Sequence, residues 1–103
     1  MFQLNVFYPN SPDAQFDMDY YLAKHMPLVQ ERLGANCKGY SVQSGLSGGA
    51  PGQPATFLTI ASVDVASLDD YGKAMALHGA EIMGDVPNFT NIKPSIQISE
   101  TKT

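Results

Sequence analysis

Phe57-Leu58-Thr59-Ile60-Ala61-Ser62-Val63 is the stretch whose reading decides the fold. It holds no Gly or Pro, and apolar side chains fall on both of its parities. A strand with one wet face alternates strictly, whereas a strand with apolar residues on both parities belongs in the middle of a sheet, covered on both sides. Upstream, residues 36–46 read as a neighbouring strand, weakened by Gly39 and by polar Ser and Gln positions. The link between them, Ser44 to Pro54, carries four glycines and two prolines and reads as a long flexible loop. Downstream, Ser67-Leu68-Asp69-Asp70 resembles a capping box, with Asp in place of the usual Glu or Gln. It opens a helix with Tyr71, Met75, His78 and Ile82 on its inward stripe. Gly79 and Gly84 weaken that helix, and Pro87 lies beyond its end. Ile92–Ser99 reads as the last strand, and Pro94 confines its start to an edge or a bulge.

At the other end of the chain, Phe2, Leu4, Val6 and Tyr8 alternate with Gln3, Asn5 and Phe7. That is a strand, stopped by the turn residues Pro9-Asn10-Ser11-Pro12-Asp13. From Asp17 to Leu33 the period becomes helical, with Leu22, Met26, Val29 and Leu33 on one stripe. Asp17 suits the N-cap and Gly34 the C-cap. Pro27 lacks an N–H and crowds the carbonyl of Ala23, so a kink is expected near His25 and Met26. The order is strand, helix, strand, strand, helix, strand. That is the ferredoxin-like βαββαβ arrangement, an α+β fold expected to occupy residues 1–103 as one domain. Two helices cover only one face of a four-stranded antiparallel sheet. A second copy of the chain is the simplest cover for the other face, so a homodimer is expected.

Composition points the same way. The chain has 103 residues with only 16% charged, against about 25% in an ordinary domain. Ten Phe and Tyr and five Met argue against disorder. Size scaling predicts roughly 5,700 Å² of surface for a compact monomer of this mass. Few charges are available to coat it, as expected if part of the surface is shared. The net charge is −4, and the six Lys and Arg are scattered, which excludes a phosphate-binding face and hence nucleic acid. No apolar run is long enough to span a bilayer and no signal-peptide pattern opens the chain. The lone Cys37 suits a reducing compartment. A cytoplasmic protein is expected, with no membrane partner.

Among residues able to carry chemistry, His25 comes first, because imidazole is the natural acid/base at neutral pH. Tyr21 lies one turn earlier on the same flank and is the expected polar partner. Two readings of His25 stay open: it serves a cavity exposed by the proline, or it satisfies a carbonyl that the proline frees. His78, on the second helix, either converges with His25 on one pocket or is a core histidine. His78-x-x-Glu81 lacks the further ligands a metal site needs, and no metal is expected. The glycines around Ser47 lack the Lys and helix of a phosphate loop. Aromatic side chains including Tyr20 and Phe89 serve the core and can also line a small-molecule pocket.

Phe16-Asp17-x-x-Tyr20-Tyr21-x-x-x-His25-Met26-Pro27-Leu28 resembles the first-helix signature of the EthD-like proteins. The run His78 to Thr90, containing Asp85-Val86-Pro87-Asn88-Phe89-Thr90, is similar to their second motif. The resemblance extends over roughly residues 2–99 and places the chain in the dimeric α/β-barrel superfamily. It implies two ferredoxin-like protomers closing into a barrel, each with a cavity between its sheet and its helices. The EthD-like branch is associated with degradation of ethyl tert-butyl ether beside a cytochrome P450 system and is classed with oxidoreductases. The chain is short for a haem pocket, and no cofactor is expected. Asp17 as a cap would set where His25 points, while Asn88 and Thr90 would bond their own backbone and stiffen the turn. The resemblance carries over no catalytic assignment; as a cofactor-independent enzyme the chain would use His25 and Tyr21 as its catalytic pair, with Tyr20, His78 and Phe89 contacting a small apolar organic substrate. The reaction would be of oxidoreductase or of isomerase/dehydratase type. A binding or accessory protein serving a partner oxygenase is the alternative.

Overall fold

A computed structural model describes residues 1–103. Strands β1 (Phe2–Pro9), β2 (Cys37–Ser44), β3 (Phe57–Val65) and β4 (Ser95–Glu100) form one antiparallel sheet in the order β2-β3-β1-β4. β3 is central, as its composition requires. β4 is an edge strand, and Pro94 stands just before it, where a missing N–H breaks no ladder bond. Helix α1 spans residues 18–33 and α2 spans Leu68–Gly84. This is the expected ferredoxin-like α+β fold.

The helices cover the face carrying Leu4 and Tyr8 of β1 and Thr59, Ala61, Val63 and Val65 of β3, all buried. The other face differs from the uniformly apolar surface that residues 57–63 imply. Gln3 donates to Asp64 at 3.1 Å, and Asn5 donates to Ser62 at 3.1 Å and to Gln3 at 3.0 Å, making one half a polar network. Phe7 meets Phe57 at 5.1 Å between ring centroids and pairs with Ile60, so the other half is apolar. With one sheet and one helical layer, the chain is only 19 Å thick and exposes 6273 Å². That area is about a tenth above the expectation for a compact monomer of this mass.

Both caps are made as the sequence directs. Asp17 accepts from the Tyr20 N–H at 3.0 Å, and Ser67 accepts from the Asp70 N–H at 3.1 Å. The disturbance expected at Pro27 takes the form of a π-helical turn over Tyr21–His25, in which the Met26 N–H bonds the Tyr21 carbonyl. Widening the helix here accommodates a ring that cannot donate and would otherwise press on the Ala23 carbonyl. The wide turn also rotates the buried stripe. Met26, Val29 and Leu33 are buried as expected, but Leu22, expected inside, is half exposed, and Tyr21 and His25 are buried in its place. Gly34 ends the helix at φ 62°, ψ −140°, backbone space that favours glycine, with its N–H on the Gln30 carbonyl. Arg32 of α1 ties to Glu81 of α2 through two hydrogen bonds of 2.7 and 3.1 Å.

Candidate functional site

The site forms where the start of α1 is stitched to the turn after α2. Asp17 N–H bonds the Phe89 carbonyl at 2.7 Å. Thr90 Oγ1 donates to the Gln15 carbonyl at 2.6 Å and accepts from the Ile92 N–H at 3.1 Å. Thr90 therefore stiffens its own turn, as expected, and also clamps the chain entering α1. These bonds bring the end of α2 against the π-helical turn.

Asp85 is the consequence. Its Oδ2 lies 2.9 Å from His25 Nδ1, and its Oδ1 accepts from Tyr20 Oη at 2.6 Å and Asn88 Nδ2 at 2.9 Å. Asn88 thus serves a side chain rather than its own backbone. Burial works to raise the Asp85 pKa, but hydrogen bonds from Tyr20, Asn88 and His25 outweigh it and hold the carboxyl below its ordinary value. An ionised carboxylate only accepts, so Nδ1 of His25 must donate, and the lone pair of a neutral imidazole is left on Nε2. Nε2 makes no hydrogen bond within the chain, although His25 is only 4% exposed. Asp85, 60 residues away, is His25's polar partner; Tyr21 stacks on the imidazole instead, at 5.3 Å and 17°. Phe89 packs on the ring at 4.6 Å.

His25 and Tyr21 both line a cavity of about 50 Å³ between the helices and the sheet. Of its 17 lining residues 15 are hydrophobic, and none is Lys, Arg, Asp or Glu. Burial raises the Tyr21 phenol far above its usual range, with the adjacent Tyr8 adding to the effect. The volume holds one or two waters rather than an organic ligand, so occupancy requires side chains to move. Met26, Met75 and Met83 in the wall are the side chains best suited to that. Met83 and Ile96 line the cavity and are 43% and 48% exposed, which places them at its mouth.

The other candidates fall elsewhere. Tyr20 does not line the cavity; it holds Asp85. Phe89 supports the imidazole from outside the cavity. His78 is half-buried, lies near Glu81 and does not join His25 at the cavity. Asp85 is the group at this site that sequence reasoning left without a chemical role. Asp85 stood in a recognisable turn motif, and nothing local marked His25 as its partner. No three His, Cys, Asp or Glu side chains converge in a way that could hold a metal ion.

Residues 11–93 match the family model for the EthD domain. The chain belongs to the EthD family. An EthD-like protein from Ralstonia eutropha JMP134 is 44% identical, with 96% of this chain and 89% of that chain covered and a TM-score of 0.92. An ethyl tert-butyl ether D family protein from Bacillus halodurans C-125 shares 16% identity over 99% of both chains, at a TM-score of 0.66. HapK from Hahella chejuensis, 7% identical over 97% of this chain and 92% of its own, has a TM-score of 0.57 and shares the fold alone. Among curated proteins none matches the sequence. The EthD match contains every residue of the His25–Asp85 cluster. No helix is long and apolar enough to cross a membrane.

Proposed function

We propose that this EthD-family protein binds a small, largely apolar organic molecule in the cavity beside His25 and converts it with His25 as acid/base. One observation supports the reading: a histidine that lines an apolar cavity has its Nδ1 held by a fully engaged carboxylate and no partner in the chain for Nε2. Tyr21 fixes the ring face and offers a neutral O–H, while Tyr20 and Asn88 act through Asp85. His78 and Phe89 are left outside the chemistry. The protomer works as a homodimer, its helix-free sheet face covered by a second copy. The flat shape and the apolar half of that face support this.

A second reading, a carrier or accessory protein that performs no conversion, is favoured by the small number of polar groups around the cavity. Native mass spectrometry of freshly purified protein would report the oligomer and any retained metabolite. Titration with indane, an apolar probe, is expected to shift the NMR signals of the His25 ring and of the Met75 and Met83 methyls. Unchanged signals at the solubility limit of indane would overturn the cavity reading. Retention of substrate without conversion, unaltered by His25→Gln, would favour the carrier.

A further inference from the structure

The cavity's polar inventory says more than that its ligand is apolar. No cation lines it, and the carboxylate of Asp85 stands directly behind His25. An anionic ligand would lose its hydration there without meeting a counter-charge. What the walls offer besides Nε2 is neutral O–H groups. Burial pushes up the phenols of Tyr8, Tyr21 and Tyr71, so each keeps its proton across the physiological range. Tyr8 and Tyr21 pack edge-to-face, 5.7 Å between centroids. Tyr71, on the first turn of α2, differs: burial is the only influence on its phenol, and its hydroxyl has no hydrogen-bond partner in the chain. His25 and Tyr71, whose Nε2 and hydroxyl have no partner in the chain, therefore both line one apolar cavity. A ligand with a simple acidic O–H would use the base and leave the donor idle. A ketone uses both, because removing a proton beside its carbonyl sends charge to the oxygen, where a preorganised O–H stabilises it.

Resting on the reading of His25 as acid/base, we propose that the substrate is an uncharged, enolisable carbonyl compound and that Tyr71 is its oxyanion donor. His25 Nε2 takes the proton from the carbon α to the carbonyl. The C–H bond breaks, its electron pair forms the enolate C=C, and the carbonyl π pair moves onto oxygen, facing the Tyr71 O–H. Return of a proton from His25 to carbon regenerates the ketone, so the step balances with no other reactant. Tyr71 is thereby a catalytic residue, and Met83 and Ile96 frame the route in.

The test is α-hydrogen exchange of 1-indanone in D2O, followed by loss of its C2 proton signal. Wild type is expected to exchange about 100-fold or more faster than buffer, the usual scale of general-base catalysis. His25→Gln should fall to the buffer rate. Tyr71→Phe, which keeps the ring, should lose about tenfold or more while still binding indane. If 1-indanone displaces indane but exchanges no faster with wild type than with His25→Gln, the enolisation proposal is overturned and the binding site stands. If neither compound binds, the cavity reading itself fails. Should His25→Gln not fold, Tyr71→Phe decides alone, and a rate equal to wild type overturns the proposal.

Discussion

Asp85→Asn isolates the group on which the site depends. Asp85 accepts three hydrogen bonds, at 2.6, 2.9 and 2.9 Å, with its side chain 14% exposed. Bonds to a charged acceptor contribute about 1.5–3 kcal/mol each and neutral ones about 0.5–1.5. Removing the charge from three therefore costs about 3–4.5 kcal/mol, and some of that returns as the neighbours relax. A loss of about 2 kcal/mol corresponds to a fall in Tm of roughly 8–16 °C for a domain of this size. The amide also has only one accepting end. Turned to Tyr20 and Asn88, it presents its NH2 to His25, and the imidazole must move its proton from Nδ1 to Nε2, which removes the base. The assay is thermal melting across pH together with nitrogen-15 NMR of the histidine rings. Because the folded pKa of Asp85 lies below its ordinary 3.8, its contribution is present above that value and lost as pH falls through the folded value. The gap in Tm between wild type and variant should be full at pH 6–7 and close below about pH 4. An Asp85→Asn protein that melts within a degree or two of wild type at pH 7, with its Nδ1 proton in place, would refute the reasoning.

Two further outcomes test the frame around the site. Gly34→Ala should cost about 1–3 kcal/mol because φ 62° with ψ −140° strains any side chain, even though a Cβ there meets nothing; Gly49→Ala, in open space without positive φ, should be neutral by the same denaturant titration. Ile60→Lys, on the apolar half of the helix-free sheet face, should convert a particle of twice 11.1 kDa to one of 11.1 kDa by light scattering. A wild-type protein already at 11.1 kDa would sink the dimer.

Periodicity and punctuation in the chain determine most of the fold. Strand parity put β3 in the centre, Pro94 marked the edge, and Asp17, Ser67 and Gly34 set helix ends, because each of these signals acts within a few residues. The family could be read from the two motifs around His25 and Asp85. Less was legible where a local rule met a wider constraint. Pro27 foretold a disturbed helix but not its form, a wide turn that puts Tyr21 in the core in place of Leu22. The outward residues of β3 looked apolar, whereas Gln3 and Asn5 already stood out as polar in β1. That they join Ser62 and Asp64 of β3 in one polar network emerges only from the strand pairing.

The sequence by itself therefore determined the βαββαβ order, the family, and histidine as the residue to watch. Only the tertiary structure decided that Asp85 holds His25, that Tyr20 supports Asp85 instead of facing the cavity, and that His78 stays apart. Secondary-structure signals are carried by neighbours three or four residues away, whereas a hydrogen bond between residues 60 apart exists only once both helices have docked on the sheet.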